Sequence, residues 1–370
     1  MDRKKCIIIR SNALDRDIRI PKEIATLEKK YSVSFIGWNR DLLTDQNYLK
    51  TQKIDQKLLN LKAPYGKLIL FYLPLWWFFI FCWLLIKKWD VAHVINFDSA
   101  IPVIIVSKIK NKKVIYEVLD TYEDSMVLPE MIRIILMQID KFFLSMSDCV
   151  ILADDAQNEE FHGIPNKNII AIYDSPPDAF THVVKRNDSL FILFYAGSLY
   201  KDRNLNLEKL IEAIRDIDNV KVVIAGYGDL VQKILDYEKE MPEKVQFIGQ
   251  IGYNEVMVNI QKYDLLFVLR DSNVMINKYI CGSTLLNAMM CGKPVIVNNG
   301  TSTAKKVNEE KCGLIISADN IKEIKQAIIQ LRDNPRLYEL FSKNARAAYE
   351  KKYNWVIMEK RLLELYNNLS

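Results

Sequence analysis

The sequence predicts an α/β protein with two Rossmann-like domains, whose parallel sheets face each other across a cleft. Apolar strand-like segments alternate with amphipathic helical segments through both halves of the 370 residues. The polar stretch 181–189, THVVKRNDS, separates the two series and is the natural linker. Only Gly37, Gly66 and Gly163 precede it, so most glycines, and with them the expected phosphate site, lie in the second half.

Six strands are predicted in each half, which gives one domain over 1–185 and another over 186–353. The first six are expected near Cys6, Val33, Val91, Val114, Val150 and Ile170, and the second six near Ile192, Val222, Val245, Leu265, Val295 and Leu314.

The composition excludes several classes of protein. Half of the residues are hydrophobic and 26% are charged, which suits a well-folded chain of about two domains. The six cysteines are far apart and include no CxxC pair, so reduced core thiols in a cytosolic protein are expected. Three histidines leave little material for a His-rich metal centre or a Ser-His triad. No basic run with interleaved aromatic residues indicates nucleic-acid binding.

Positive charge is concentrated in the first third of the chain. Residues 1–113 hold 21 Lys plus Arg and 10 Asp plus Glu, a balance of +11 that favours anionic lipid. The uncharged run 68–86, LILFYLPLWWFFIFCWLLI, lies within it between lysines. The run is long enough to span a bilayer, and it could also be a helix buried within the fold. Pro74, the tryptophans and the flanking lysines favour a third arrangement, a helix that lies in the membrane interface.

The segment 278–300, KYICGSTLLNAMMCGKPVIVNNG, predicts a turn, a helix, a tight reversal and a buried strand. Gly282 would let the backbone approach a ligand. Ser283 and Thr284 are good N-cap residues whose hydroxyls, with the first N–H groups of the helix, would face a phosphate. An ordinary helix-to-strand unit would show the same spacing.

Two further glycine turns end predicted strands. Gly197 and Ser198 precede a basic loop with Arg203, an arrangement suited to a diphosphate. Gly226 and Gly228 form a GxG turn that is weak as a fingerprint by itself. Because ligands bind at the carboxyl edge of a parallel sheet, three such turns in one half predict a nucleotide site there.

These segments resemble the family 4 glycosyltransferases, which have the two-domain GT-B fold. The strand, glycine, basic loop and helix of that family correspond to 195–206, with Arg203 where a phosphate-binding lysine is usual. Its GxG turn corresponds to Gly226 and Gly228. The segment 289–296, MMCGKPVI, corresponds to its "ACGKPVI".

The resemblance extends to the first half. The segments 15–24, 93–102 and 116–124 are similar to the family's "RDPRV.KE", "DVIHAHD" and "YDAHD". The segment 353–366 resembles its closing helix, which implies that the helix over 354–370 packs back on the first domain. Asn287 stands where the family has a ribose-binding glutamate, and Thr284 stands where it has a lysine.

The resemblance implies a retaining transferase that moves a sugar from a nucleotide diphosphate donor, with no metal and no cofactor. The donor-binding residues are expected to be Gly197, Ser198, Arg203, Gly226, Gly228, Gly282, Ser283, Thr284 and Asn287. Asp98 and Asp120 are expected to orient the acceptor or the sugar, or simply to cap helices. Arg16 and Arg19 would contact an anionic acceptor or form a solvated basic face. The Asp15-Arg16-Asp17 sequence is weak evidence for a metal.

A lipid-linked or envelope-glycan acceptor is expected, with the protein in the cytoplasm and peripherally attached to the inner face of the membrane through 68–86. Two alternatives stay open. One is a non-catalytic partner of GT-B fold that scaffolds an active transferase, which Asn287 and Thr284 favour. The other is a nucleotide-sugar epimerase, which would need acid/base groups near the sugar.

Overall fold

The computed structural model describes residues 3–43, 54–64, 66–121, 129–180, 190–201 and 205–369. The chain forms two compact units. Unit 1 comprises Met1–Tyr173 and Met358–Ser370, whereas unit 2 is the continuous segment Asp174–Ile357. Each unit is built on one sheet of parallel strands, so the predicted fold class is confirmed. The predicted linker 181–189 lies outside the described residues.

Seven strands form the sheet of unit 1. In chain order they are Lys5–Arg10 (β1), Ser32–Asn39 (β2), Asp55–Asn60 (β3), Val91–Ile95 (β4), Lys113–Val118 (β5), Cys149–Leu152 (β6) and Ile169–Ala171 (β7). Their order across the sheet is β3-β2-β1-β4-β5-β6-β7. The edge strand β3 was not predicted, because its sequence DQKLLN has the composition of a loop.

Helices cover the sheet of unit 1 and supply its core. They are Arg19–Leu27 (α1), Leu73–Ile86 (α2), Phe97–Lys110 (α3), Glu130–Met146 (α4) and Gln157–Glu160 (α5), with 3₁₀ turns at Leu14–Arg16 and Gly66–Phe71. One continuous cluster of buried side chains joins α2, α3 and α4 to β1, β2, β4, β5 and β6.

The apolar run 68–86 is divided between a 3₁₀ turn and α2. Pro74 lies in the first turn of α2, where a missing N–H costs little. Trp76, Ile80 and Leu84 lie on one side of the helix and are buried, and the Trp76 ring stacks on Trp38. Among the residues that the structure describes, no helix has both the length and the apolar character that crossing a bilayer requires.

In the described part of unit 2, six strands form a sheet in the order β10-β9-β8-β11-β12-β13. They are Phe191–Ser198 (β8), Val220–Tyr227 (β9), Val245–Phe247 (β10), Leu265–Val268 (β11), Val295–Asn298 (β12) and Gly313–Ile316 (β13). Its helices are Leu207–Ile214 (α6), Val231–Glu240 (α7), Tyr253–Lys262 (α8), Met275–Tyr279 (α9), Ser283–Met290 (α10), Ser302–Glu310 (α11), Ile321–Asp333 (α12) and Pro335–Ala348 (α13).

A π-helical turn at Tyr349–Tyr353 precedes the last helix, Trp355–Asn368 (α14). From Met358 onward this helix belongs to unit 1. The Arg361 guanidinium donates to the Ala171 carbonyl at 3.0 Å, and the Tyr366 hydroxyl lies 2.9 Å from His93 Nδ1. Helix α14 therefore completes part of the core around β4 and β7.

Candidate functional site

The carboxyl edge of the unit 2 sheet brings two predicted glycine turns together. Gly197 at the end of β8 lies beside Gly226 at the end of β9, and Ser198 lies beside Tyr227. The turns are joined by backbone hydrogen bonds, since the Leu199 N–H donates to the Tyr227 carbonyl at 2.8 Å. The end of β8 is thus fixed against that of β9.

Gly226 and Gly228 are glycines because the two turns approach so closely. Their φ angles are +150° and +145°, a region that side chains disfavour. A Cβ at Gly226 would lie 2.0 Å from the Gly197 carbonyl oxygen, and one at Gly228 would lie 2.4 Å from that of Leu199. Packing therefore explains both glycines, and their contact with a donor stays a prediction.

The N-terminus of α10 lies beyond the third glycine turn. Its N-cap residue is Gly282, in place of the predicted Ser283 or Thr284, which occupy the first helical turn. The N–H groups of Ser283 and Thr284 make no hydrogen bond with any described residue. Such N–H groups and the positive end of the helix dipole attract an anion. Asn287 lies one turn further along α10 and is buried.

Arg270 is a candidate residue that sequence reasoning missed. It follows the end of β11, the neighbour of β8, and its Nη1 lies 3.4 Å from the position that a Cβ on Gly282 would occupy. The guanidinium makes no hydrogen bond or ion pair with the described residues, and its Nε is buried without a partner. A cation without an acidic partner beside a helix N-terminus suits a bound anion.

Two asparagines hold the segment that carries Arg270. Asn206, before α6, donates from Nδ2 to the Leu269 carbonyl at 2.8 Å, and Asn298, at the end of β12, donates to the Arg270 carbonyl at 2.8 Å. The Oδ1 atom of Asn298 accepts from the Ala318 N–H at 2.8 Å. The backbone at Arg270 is therefore positioned before any ligand binds. The sequence signal that could have identified Arg270 as a candidate is its position just after the strand predicted near Leu265.

Two predicted residues cannot be placed in full. Arg203, the expected diphosphate-binding cation, lies outside the described residues, and so does the side chain of Arg16. Lys201 is described and exposed, and its N–H donates to the Asp229 carboxylate at 2.9 Å, which links the β8 and β9 loops again.

Asp98 is enclosed at the carboxyl edge of the unit 1 sheet. Only 4% of it is exposed, and its carboxylate accepts hydrogen bonds from the hydroxyls of Ser11 and, at 3.1 Å, Ser99. Burial raises the pKa of Asp98, although Ser11 and Arg40 act in the opposite direction. The N-cap of α3 is Asn96, so Asp98 does not cap the helix that follows it.

Asp120 lies at the same edge, two residues beyond β5, and is exposed. The side-chain carbonyl of Asn96 accepts from the Leu119 N–H at 2.8 Å, which fixes the end of β5 against that of β4. Asp98 and Asp120 therefore follow neighbouring strands, and of the two Asp120 is exposed to solvent.

Arg19 is buried in an ion-pair network and does not form a solvated basic face. Its guanidinium donates to Glu23 at 2.9 Å, to Glu117, and to the Ile172 carbonyl at 2.6 Å. His93 Nε2 lies 3.1 Å from the second oxygen of Glu117. An acceptor contact would break these bonds, so we assign Arg19 to the stability of unit 1.

The two glutamates of this network differ in pKa. Burial and the charge of Glu117 raise the pKa of Glu23 well above its ordinary range. Burial also tends to raise the pKa of Glu117. The opposite effects of Arg19 and then His93 are larger together, and they lower the pKa of Glu117 to about 2. Ligand atoms of Glu23, His93 and Glu117 lie within 4.8 Å of one another, as metal ligands would. Arg19 already balances one negative charge in this cluster.

Comparison with known proteins gives a family match within unit 2 and several distant relatives. Residues 179–348 match the family described as Glycosyl transferases group 1. An uncharacterized glycosyltransferase of Methanocaldococcus jannaschii is 22% identical over 187 residues, 48% of this chain and 45% of that protein. The chain spans about half the length of the curated relatives it matches.

Two solved structures that match over nearly the full chain show its fold. A sucrose-phosphate synthase of Thermosynechococcus elongatus superposes with a TM-score of 0.80 at 16% identity, covering 99% of each chain. HepE of Anabaena, in complex with UDP and glucose, gives a TM-score of 0.73 at 13% identity over 98% of this chain and 99% of that one. The protein has the GT-B fold. The match to the Glycosyl transferases group 1 family lies within unit 2, over residues 179–348.

Proposed function

We propose that the protein transfers a sugar from a nucleotide diphosphate donor to an acceptor, with retained anomeric configuration and without a metal. The observation that carries the proposal is the carboxyl edge of the unit 2 sheet. There Arg270 lies beside the N-terminus of α10, where the N–H groups of Ser283 and Thr284 make no hydrogen bond with the described residues. The group 1 match covers this same region.

The chemistry follows from charge. Breaking the bond between sugar and diphosphate leaves negative charge on the diphosphate, and preorganised donors lower the barrier by binding that charge. Arg270 and the first turn of α10 supply a cation and N–H donors at fixed positions. Positioning of the acceptor supplies a further part of the rate, for which exposed Asp120 is our candidate.

We propose a lipid-linked or envelope-glycan acceptor at the cytosolic face of the membrane. The concentration of positive charge in residues 1–113 and the exposed apolar residues of α2 support a membrane surface as the place of reaction. HepE of Anabaena was also solved with UDP-glucose, a nucleotide diphosphate sugar of the donor class proposed here.

The test is a thermal-shift titration with UDP, GDP, ADP, TDP and CMP, with and without Mg²⁺. One nucleoside diphosphate should raise the melting temperature without metal, because a ligand that binds only the folded state stabilises it. Arg270→Ala should weaken its binding about tenfold or more, the usual loss for one charge-assisted contact. Arg336→Ala, an exposed arginine on α13 of the same unit, is the matched control.

Failure of every nucleotide to bind would refute the donor site. A second candidate, a non-catalytic scaffold of the same fold, is favoured by Asn287, an amide where the family resemblance places a glutamate. Nucleotide binding without any sugar transfer, and without hydrolysis of the nucleotide sugar, would support that candidate and overturn the transferase.

A further inference from the structure

Three helices of unit 1, α2, α3 and α4, form one layer over the same side of its sheet. Their inward residues share a single hydrophobic cluster with the strands, and α3 contacts both α2 and α4. The outward sides of the three helices therefore adjoin one another.

The outward side of α4 is largely apolar, although it includes the exposed Gln138. At about 3.6 residues per turn, buried Met137 and Leu144 lie on one side of the helix, whereas Met131, Ile135 and Phe142 lie on the opposite side. These three are 74%, 52% and 58% exposed. A surface helix of an ordinary domain carries polar residues there.

Helices α2 and α3 continue this surface. Phe78 and Leu85 on α2 and Ile109 on α3 are exposed, while the opposite side of each helix packs in the core. Single exposed apolar residues need no explanation, but a set that extends over three adjacent helices marks an interaction surface.

Positive charge exceeds negative charge on the layer. Asp98 and Asp140 are buried, the latter accepting from the Tyr116 hydroxyl at 2.5 Å, so Glu130 is the one exposed acidic residue on α2, α3 and α4. The basic residues on these helices are Lys108, Lys110, Arg133 and Lys141. Lys87 and Lys88 follow directly after α2; Lys88 is exposed, whereas Lys87 pairs with Asp55.

We propose that the layer of α2, α3 and α4 docks unit 1 on an anionic lipid bilayer, with Met131, Ile135 and Phe142 entering the interfacial region. Apolar residues that penetrate the acyl boundary and cations that meet anionic headgroups are the two components of interfacial binding. At 14 residues, α2 is about 21 Å long, short of the roughly 30 Å hydrocarbon core, so the helices lie along the membrane.

Charge favours lipid over a second copy of the chain. In a twofold symmetric dimer the same patch would face itself, which would bring the basic residues of both copies together with one exposed acid each. An anionic bilayer pairs with them instead. The proposal deepens the membrane part of the proposed function and does not require sugar transfer, because lipid binding needs no donor.

The test is co-sedimentation of the full chain with vesicles of phosphatidylcholine alone and with about 30% phosphatidylglycerol. We expect binding to the anionic vesicles, weakened by salt. The double variant Ile135→Gln/Phe142→Gln should lower the partition coefficient about tenfold or more through lost apolar burial. Val258→Gln/Leu340→Gln removes two exposed apolar residues of unit 2 and should leave it unchanged. Equal melting temperatures would show that the variants fold.

Three results would overturn the proposal. One is no binding of the unaltered chain to either kind of vesicle. Another is that Ile135→Gln/Phe142→Gln and Val258→Gln/Leu340→Gln lose vesicle binding equally, or that both bind as the unaltered chain does. The third is a concentration-dependent dimer in sedimentation that Ile135→Gln/Phe142→Gln dissociates, without vesicle binding, which would identify the layer as an interface between copies. A second pair on α2, Phe78→Gln/Leu85→Gln, should repeat the loss if the layer acts as one surface.

Discussion

Replacement of Glu23 by glutamine should stabilise unit 1, and the gain should grow with pH. Glu23 and Glu117 are both buried, and Arg19 offers one positive charge to the pair. Arg19 contacts both carboxylates but balances only one charge, and Glu117, which His93 also contacts, has the lower pKa of the two. Burial and the charge of Glu117 keep the pKa of Glu23 well above its ordinary value of 4.5.

The direction follows from proton binding. Above its ordinary pKa, Glu23 loses its proton in the unfolded chain but keeps it in the folded unit, so stability falls as pH rises toward its folded-state pKa. Glutamine does not titrate and removes this loss. The difference between variant and parent should grow by up to about 1.4 kcal/mol per pH unit from about pH 5 upward.

Urea unfolding at pH 5, 6, 7 and 8, followed by tryptophan fluorescence, measures this difference. All tryptophans except Trp355 lie in unit 1, so the signal reports on the unit that carries the change. Glu28→Gln is the same substitution at an exposed position just after α1 and controls for the chemical change itself. A stability difference for Glu23→Gln that does not change with pH, or that shrinks as pH rises, would refute the reasoning.

Three further predictions concern packing. Gly226→Ala should lower the free energy of unfolding of unit 2 by about 1–3 kcal/mol, because the new Cβ would meet the Gly197 carbonyl. An unchanged melting temperature would contradict the close approach of β8 and β9. Thr301→Ala should cost about 1 kcal/mol in urea unfolding, since the Thr301 hydroxyl accepts the Ala304 N–H at 3.1 Å, whereas Thr301→Ser should keep most of it. Trp76→Ala should destabilise unit 1 by about 3–5 kcal/mol, and a loss below about 1 kcal/mol would mean that the ring is not packed as described.

Much of the fold could be predicted because buried parallel strands are short, continuous and apolar, as in β1 and β12. The edge strand β3 lacks that signal, because its residues are largely polar and it pairs on one side only among the described strands. Local patterns predicted glycine turns at the carboxyl edge of unit 2. They did not predict Gly282 as the N-cap of α10, because the serine and threonine that follow it are also favourable N-cap residues.

Arg270 and the Arg19 network were beyond local patterns for another reason. The relation of Arg270 to Gly282 depends on how β11 and α10 meet, and the network joins residues of α1, β4, β5 and α14. From the sequence, Arg19 was indistinguishable from a surface cation. Only tertiary packing decides which arginine is paired and buried and which is left without an acidic partner.

The hydrogen-bonded chain of Cys6, Tyr366 and His93 has a consequence for biosynthesis. The Cys6 thiol on the first strand lies 3.3 Å from the hydroxyl of Tyr366, which is 360 residues later in the sequence. On the ribosome, unit 2 is a continuous segment and can fold as soon as it has emerged. Unit 1 is translated first, yet it has to wait for α14 before the space around Cys6 and His93 is filled. Nascent chains stalled before Met358 should therefore carry a unit 1 that is open to proteases.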